Sequence, residues 1–191
     1  MNRAAPLLRQ ARRSRKLSQR ALAQRAAAHQ PAIAAIETGK HDASVATLDR
    51  LVSATGQRLV VLPTPSRTVA EAAEAIWDCL RHHDERRAFR EFVQLNDDLQ
   101  RESGAVRVAL TVTPPAPIGD RRYDALIAAL VEHLLADRLP VPTWTSEPAR
   151  TLPEPWYVED LPEARERTRE ETPASFARHG VFLSATELAS V

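Results

Sequence analysis

The sequence predicts a mainly α protein: four short N-terminal helices ending in a brief strand, then a mostly helical C-terminal region with a Pro-rich irregular segment. Three observations carry that expectation. Apolar residues recur three and four positions apart through most of the 191 residues. Glycine is scarce, five in all, and two of the five stand where helices would stop. Proline clusters at Pro63 and Pro65, at Pro114-Pro115-Ala116-Pro117 and between Leu139 and Pro155, outside the strongest periodic stretches.

In chain order, Leu7, Leu8 and Ala11 mark the inner face of a first helix. Leu17-Ser18-Gln19 opens a second, with Leu22 and Ala23 inside, and a short turn follows at Ala26–Ala28. The third runs from about Gln30 to Thr38, with Ile33 and Ile36 inward, and stops at Gly39-Lys40. Val45, Leu48, Leu51 and Val52 line a fourth that ends at Gly56. Ser18 and Ser44 are placed as N-caps, where a hydroxyl accepts a free backbone N–H. From Gln57 to Leu62 the pattern turns β-rich and apolar. Such a strand needs a ladder partner: either the same Arg58–Leu62 segment of a second copy, or Val106–Val112 later in the chain.

Residues 63–68 read as a linker between a domain at 1–62 and a larger one at 69–191. Val69–His83 is an amphipathic helix with Ala73, Ile76, Trp77 and Leu80 inside. Asp84 begins another, carrying Phe89, Phe92, Val93 and Leu99 to about Arg101. The alternation Val106, Val108, Leu110, Val112 favours a strand, although its length does not decide. Asp120 caps a helix from Arg121 to about Asp137, with Leu126, Ile127, Leu130, Val131 and Leu134 buried. After the irregular stretch come helices near Leu161–Glu171 and Pro173–Arg178, then Val181-Phe182-Leu183 and a capping box, Ser184-Ala185-Thr186-Glu187.

The formal net charge of +1 hides a division. Residues 1–63 hold eleven Lys and Arg against three acids, a net of +8; the rest holds fifteen against twenty-two, a net of −7. Such asymmetry points to a nucleic-acid-binding head and a body with another partner. The single cysteine, Cys79, allows no internal disulfide and fits a reducing compartment. No apolar run approaches the roughly 20 residues needed to span a bilayer, and the N-terminus carries no apolar signal core. A soluble cytoplasmic, nucleoid-associated protein without membrane contact is expected.

Leu17, Ser18, Gln19, Leu22, Ala23, Ile33, Ile36, Glu37, Gly39, Lys40, Leu48 and Leu51 together resemble the Cro and phage-repressor class of helix-turn-helix domains, the xenobiotic-response-element family, over residues 6–56. The resemblance implies that the third helix enters the major groove. Gln30 then faces base edges, where its amide can pair with adenine, while Pro31, Ala32, Ala34 and Ala35 offer only apolar contact. Arg13, Ser18, Gln19, Arg20, Lys40 and His41 are the implied phosphate contacts. Arg12 and Glu37 are brought together as a structural ion pair. Where the family usually has Gly after the second helix, this chain has Ala27, and a left-handed residue there is strained.

Absences narrow the chemistry. The only lysines, Lys16 and Lys40, lie in the head, so the Ser–Lys self-cleaving body of many phage repressors is excluded. There is no HExxH, and Cys79-x-x-His82-His83 lacks the ligands to complete a tetrahedral metal site. Glu132, His133 and His179 have no triad partners legible in the sequence. No cofactor, metal or enzymatic activity is expected. The tail around Trp144, Trp156 and Tyr157 is similar to extensions behind such domains in actinobacterial regulators. Three functions fit: a homodimeric repressor-like regulator on double-stranded DNA with a pseudo-palindromic operator; an antitoxin whose acidic body covers a basic toxin; or an interaction module that has lost DNA binding.

Overall fold

A computed structural model describes residues 4–61, 63–136, 139–159, 161–184 and 188. The chain is mainly α and divides into two compact units, residues 1–64 with Pro115–Pro117, and residues 65–114 with 118–191.

The first unit is built from α1 (Ala4–Ser14), α2 (Gln19–Arg25), α3 (Gln30–Glu37) and α4 (Val45–Ser53). One apolar face of each helix meets at a single core: Leu8 and Ala11, Leu22 and Ala23, Ile33 and Ile36, then Leu48, Leu51 and Val52. Ser18 and Ser44 cap α2 and α4, accepting from the N–H groups of Ala21 and Thr47. The C-terminal ends share one device. A left-handed residue turns the chain so that two N–H groups fold back on the last carbonyls. At α4 that residue is Gly56. At α1 and α2 it is Lys16 (φ 55°) and Ala27 (φ 47°), with Leu17 and Ala28 donating to the carbonyls of Arg12 and Ala23.

The strand expected at the end of this unit is absent from the single chain. Gln57–Val61 joins no ladder among the described residues. Leu62, its last expected residue, lies outside them. Val60 is 73% and Val61 97% exposed, whereas Leu59 packs against the core. The other expected partner, Val106–Val112, is not a strand either: Gly104–Thr111 is helix α7. Arg107 donates to the carbonyls of Leu99 and Glu102 at the end of the preceding helix and to that of Leu134. A run this short carries no decisive period, and no neighbouring strand offers a ladder.

The second unit is organised on α8 (Arg121–Leu135), which buries nearly every side. Such a helix is a core element. The antiparallel pair α5 (Val69–Arg81) and α6 (Glu85–Arg101) contributes Ile76, Phe92, Leu95 and Leu99 to the interior. Trp77, Leu80, Phe89, Val93 and Leu134, expected inside, are only half-buried. They lie at the margins of stripes whose centres already fill the core. A capping box of Thr68 and Glu71 starts α5. Cys79 is buried, and desolvation raises its thiol pKa.

The proline-rich stretch folds onto α8 as two 3-10 turns, Thr143–Ser146 and Pro148–Arg150. Trp144 plugs the core with its indole N–H on the carbonyl of Thr111 at 3.0 Å. Beyond it, β1 (Trp156–Tyr157) pairs in parallel with β2 (Val181–Phe182), Trp156 opposite Val181 and Tyr157 opposite Phe182. Between them come a 3-10 turn at Pro162–Ala164, α9 (Arg165–Glu171) and α10 (Ala174–Arg178). The helix expected from Leu161 thus begins as a 3-10 turn. Gly180 takes φ 75°, and a Cβ there would sit 3.1 Å from Leu152. The end of the helix expected at Asp137, and Ala185–Glu187 of the expected capping box, lie outside the described residues.

Two carboxylates of α8, the buried Asp124 and the half-buried Glu132, tie this irregular part to the helix. Asp124 accepts from Arg150 at 2.7 Å and from the N–H of Ile118 at 3.2 Å. Glu132 meets Arg178 at 2.6 Å and the His179 ring at 2.8 Å, and the other ring nitrogen of His179 lies 2.7 Å from the carbonyl of Arg150.

Two predictions follow from these local constraints. Ala27→Gly removes a left-handed Cβ that costs about 1–2 kcal/mol, offset in part by glycine's greater unfolded freedom. Chemical denaturation should show the first unit about 1 kcal/mol more stable, and an unchanged or lower midpoint would refute the strain. At Glu132, burial alone would raise the carboxyl pKa, but hydrogen bonds from Arg178 and His179 outweigh it and hold the value below the ordinary one. A depressed folded pKa gives stability that is present above the unfolded value and lost as pH falls through the folded one. Glu132→Gln should therefore lower the melting temperature at neutral pH, with the gap to wild type closing below about pH 4. A gap independent of pH would contradict this.

Candidate nucleic-acid interface

The site starts from Glu37, the last residue of α3, which is only 3% exposed. A carboxylate so withdrawn from water must be met by donors. Arg12 of α1 meets it in a fork: Nε donates to Oε1 at 2.7 Å and Nη2 to Oε2 at 2.8 Å. The third nitrogen, Nη1, donates to the carbonyl of Leu17 at 2.8 Å, holding the α1–α2 turn. Arg9, one turn earlier on α1, donates to the main-chain carbonyl of Glu37.

Gln19, the first residue of α2, donates from Nε2 to Glu37 Oε2 at 2.9 Å. Its other amide end, Oε1, accepts from Nε2 of Gln30 at 2.8 Å. The carboxylate thereby fixes which way the Gln19 amide points, and that orientation selects the N–H end of Gln30. Gln30 is exposed at the first position of α3. It keeps one N–H and its carbonyl oxygen unused in this pair, the donor and acceptor that a bidentate contact to adenine N7 and N6 requires.

Around it, Pro31 and Ala32 are exposed and Ala34 and Ala35 half-exposed along the same helix. This surface is small and apolar. Pro31 stands in the first turn of α3, where its missing N–H leaves no helical bond unmade. His29, the N-cap of α3, is exposed and makes no capping bond with its ring.

The cationic side chains divide into two sets. Arg12 and Arg9 are committed to Glu37, and Arg50 of α4 donates to the carbonyl of Ala26, closing the end of α2. Arg13 donates to the carbonyl of Pro117 at 2.6 Å. Arg20, Lys40 and His41 are exposed, as are Arg15, Lys16 and Arg25. The Ser18 hydroxyl accepts from Ala21 N at 3.0 Å, which leaves its own proton available to a phosphate oxygen. Gln19 holds both Glu37 and Gln30, so the fold gives it a positioning role beside any phosphate contact.

Sequence reasoning anticipated the Arg12–Glu37 pair through the family resemblance and missed the roles of Arg9 and Arg50. For Arg9 a signal existed, since it lies three residues from Arg12 on the same face of α1. For Arg50 none did, because a contact spanning 24 residues leaves no local pattern.

Residues 4–60 match the family model of a helix-turn-helix domain. No match to the chain was found among curated proteins or among solved structures. No helix among the described residues is long and apolar enough to cross a membrane. With α2 and α3 joined by the Ala26–Ala28 turn and Gln30 held at the surface, residues 4–60 are a helix-turn-helix domain, the module of a DNA-binding regulator.

Proposed function

We propose that the chain is a sequence-specific DNA-binding regulator, a repressor, acting as a homodimer on a pseudo-palindromic operator. The relay from Arg12 through Glu37 and Gln19 to Gln30 carries this reading, because it delivers one oriented amide to the exposed start of α3. Gln30 reads a base edge in each half-site, and Pro31, Ala32, Ala34 and Ala35 admit close apolar approach. Arg20, Lys40 and His41 supply phosphate contacts, with the Ser18 hydroxyl and Arg13 beside them. The repressor reading assigns no catalytic step, cofactor or metal to the chain.

Dimerisation is supported by the extended Gln57–Val61 segment, with two exposed valines and no ladder partner within the described chain. A second copy related by a two-fold axis supplies the partner, so that Arg58–Leu62 pairs with itself. Half-sites then lie about one helical turn, roughly 10 bp, apart.

A second reading, an antitoxin that also represses its own operon, is favoured by one observation. Glu154, Glu159, Glu163, Glu166 and Glu170 are all exposed in the C-terminal part and outnumber the interleaved, exposed Arg165, Arg167 and Arg169, an acidic balance suited to a basic toxin. Growth of cells expressing the adjacent reading frame, with and without this chain, decides it: no toxicity, or toxicity that the chain does not relieve, removes the reading.

The test of DNA reading is fluorescence anisotropy of the full chain on a duplex selected from a random pool, against scrambled duplex. Gln30→Ala should weaken the selected duplex by about 1–3 kcal/mol and relax preference at one position per half-site. Equal weakening on every sequence would make Gln30 a backbone contact, and no binding by the wild type would leave an interaction module. For the dimer, Val61→Glu should shift sedimentation from dimer to monomer and weaken operator binding. A variant that sediments as wild type would exclude this segment as the interface.

A further inference from the structure

Outside the helix-turn-helix domain, the corner between α5 and α6 reverses the charge of its unit. From Arg81 to Arg90 the chain reads RHHDERRAFR, six basic or histidine side chains in ten positions. This lies within residues 64–191, whose net charge is −7. Four acids lie at or beside the corner: Asp78 and Asp84 offset part of its charge, while Glu85 and Glu91 pair with arginines outside it. Asp78 accepts from Arg81 at 2.8 Å, and Asp84 caps α6 through the N–H of Arg87 at 3.0 Å. Glu85 meets Arg122 at 3.2 Å, and Glu91 meets Arg67 at 2.7 Å. Arg86, Arg87 and Arg90 are exposed, and their side chains make no hydrogen bond or ion pair among the described residues.

Their placement is ordered. Arg86 and Arg90 stand one turn apart on the face of α6 opposite Ala88, Phe92 and Leu95, about 6 Å along the axis, with Arg87 beside them. All of Arg81–Arg87 is exposed, and none of it is apolar. A protein partner needs a broad aromatic or aliphatic anchor at the centre of its interface; within residues 81–90 the one apolar side chain with partial exposure is Phe89, and its ring packs on Phe92. A polyanion needs only charge and forked donors, which arginine supplies in the geometry of a phosphate group.

We propose that Arg86, Arg87 and Arg90 form a second phosphate-binding surface that engages the backbone of duplex DNA flanking the operator. This rests on the DNA-binding reading above and extends it to the second unit. The surface reads no sequence. It adds affinity and salt dependence, as contacts to phosphate do.

The experiment uses the full chain as wild type, as R86Q/R87Q/R90Q and as the charge-keeping R86K/R87K/R90K. Each is titrated with the selected duplex, the same duplex extended by about 15 bp on each side, and scrambled duplex of both lengths, across a salt series. Wild type should bind the extended duplex more tightly, with a salt slope steeper by about 2–3 per protomer. The glutamine variant should lose that increment and roughly ten- to hundredfold in affinity for the extended duplex at low salt. It should keep its preference for selected over scrambled sequence and its melting temperature. The lysine variant should retain the slope.

Equal slopes for wild type and glutamine variant on the extended duplex overturn the proposal. If the glutamine variant instead loses binding to polyglutamate, the surface belongs to an acidic protein. Wild type without preference for the selected duplex, but with the same arginine-dependent slope, sinks the regulator reading and leaves this surface standing. A selected-duplex preference with an arginine-independent slope sinks this surface alone. No binding to any duplex overturns both.

Discussion

Glu37 sets the order of the first unit. A carboxylate buried this far cannot rely on water, so its oxygens must be filled by protein donors in a fixed geometry. Arg12 fills both from α1 and Gln19 fills one again from α2, while the main-chain carbonyl of the same residue takes Arg9. Three helices, α1, α2 and α3, are therefore registered on one residue, the last of α3. The consequence reaches the surface. Once the Gln19 amide nitrogen is held by the carboxylate, its oxygen must face outward, and Gln30 is positioned by that oxygen. Swapping either amide end would set two acceptors or two donors against each other.

The same economy revises what the basic head means. Its charge of +8 is a property of composition, yet Arg9, Arg12 and Arg50 serve Glu37 and the end of α2. The exposed cations outside these contacts, Arg20, Lys40 and their neighbours, are fewer than the count implies. In the second unit it is the acids that are drawn into the fold. The unit is acid-rich overall, but Asp78, Glu85, Glu91, Asp98, Asp120, Asp124 and Glu132 are bound to arginines. Net charge by segment mixes groups that face solvent with groups that hold the fold. Only the structure separates them.

What the sequence made legible follows from where the information sits. The four N-terminal helices were readable because apolar period, serine caps and terminal glycines agree locally. The α8 helix was readable from its apolar period and its Asp120 cap. Its burial on nearly all sides was less so, since Asp124 and Glu132 look solvent-facing until Arg150, Arg178 and His179 arrive from residues far along the chain. Thr68 and Glu71 spell a capping box that the sequence displays and the reading overlooked. Residues 104–111 resisted for a physical reason: alternating valines suit a strand, and the choice falls to Arg107 and the absence of a neighbouring ladder. Of the candidate site, the resemblance pointed to Gln30 as a base contact and to the pairing of Arg12 with Glu37, which the side chains make. The amide link between Gln19 and Gln30 is a matter of rotamers, which no spacing encodes.

Both units use one device with different outer ends. A buried ion pair is a weak source of net stability, because desolvation offsets much of the attraction. Breaking one is costly, at about 3–5 kcal/mol, because the surviving charge is stranded. Such a pair therefore acts as a constraint on geometry: alternatives that leave the carboxylate unmet are penalised, whatever their apolar packing. In the first unit the chain of donors from Glu37 ends on a surface amide, Gln30. In the second, Asp124 ends on Arg150, whose carbonyl meets the ring of His179, whose other nitrogen returns to Glu132. That loop closes on itself across α8. It organises a proline-rich segment that could not have ordered itself through helix or sheet hydrogen bonds. The first network directs a donor and an acceptor outward. The second turns its acceptors inward onto Arg150 and His179 and joins α8 to the segment around them.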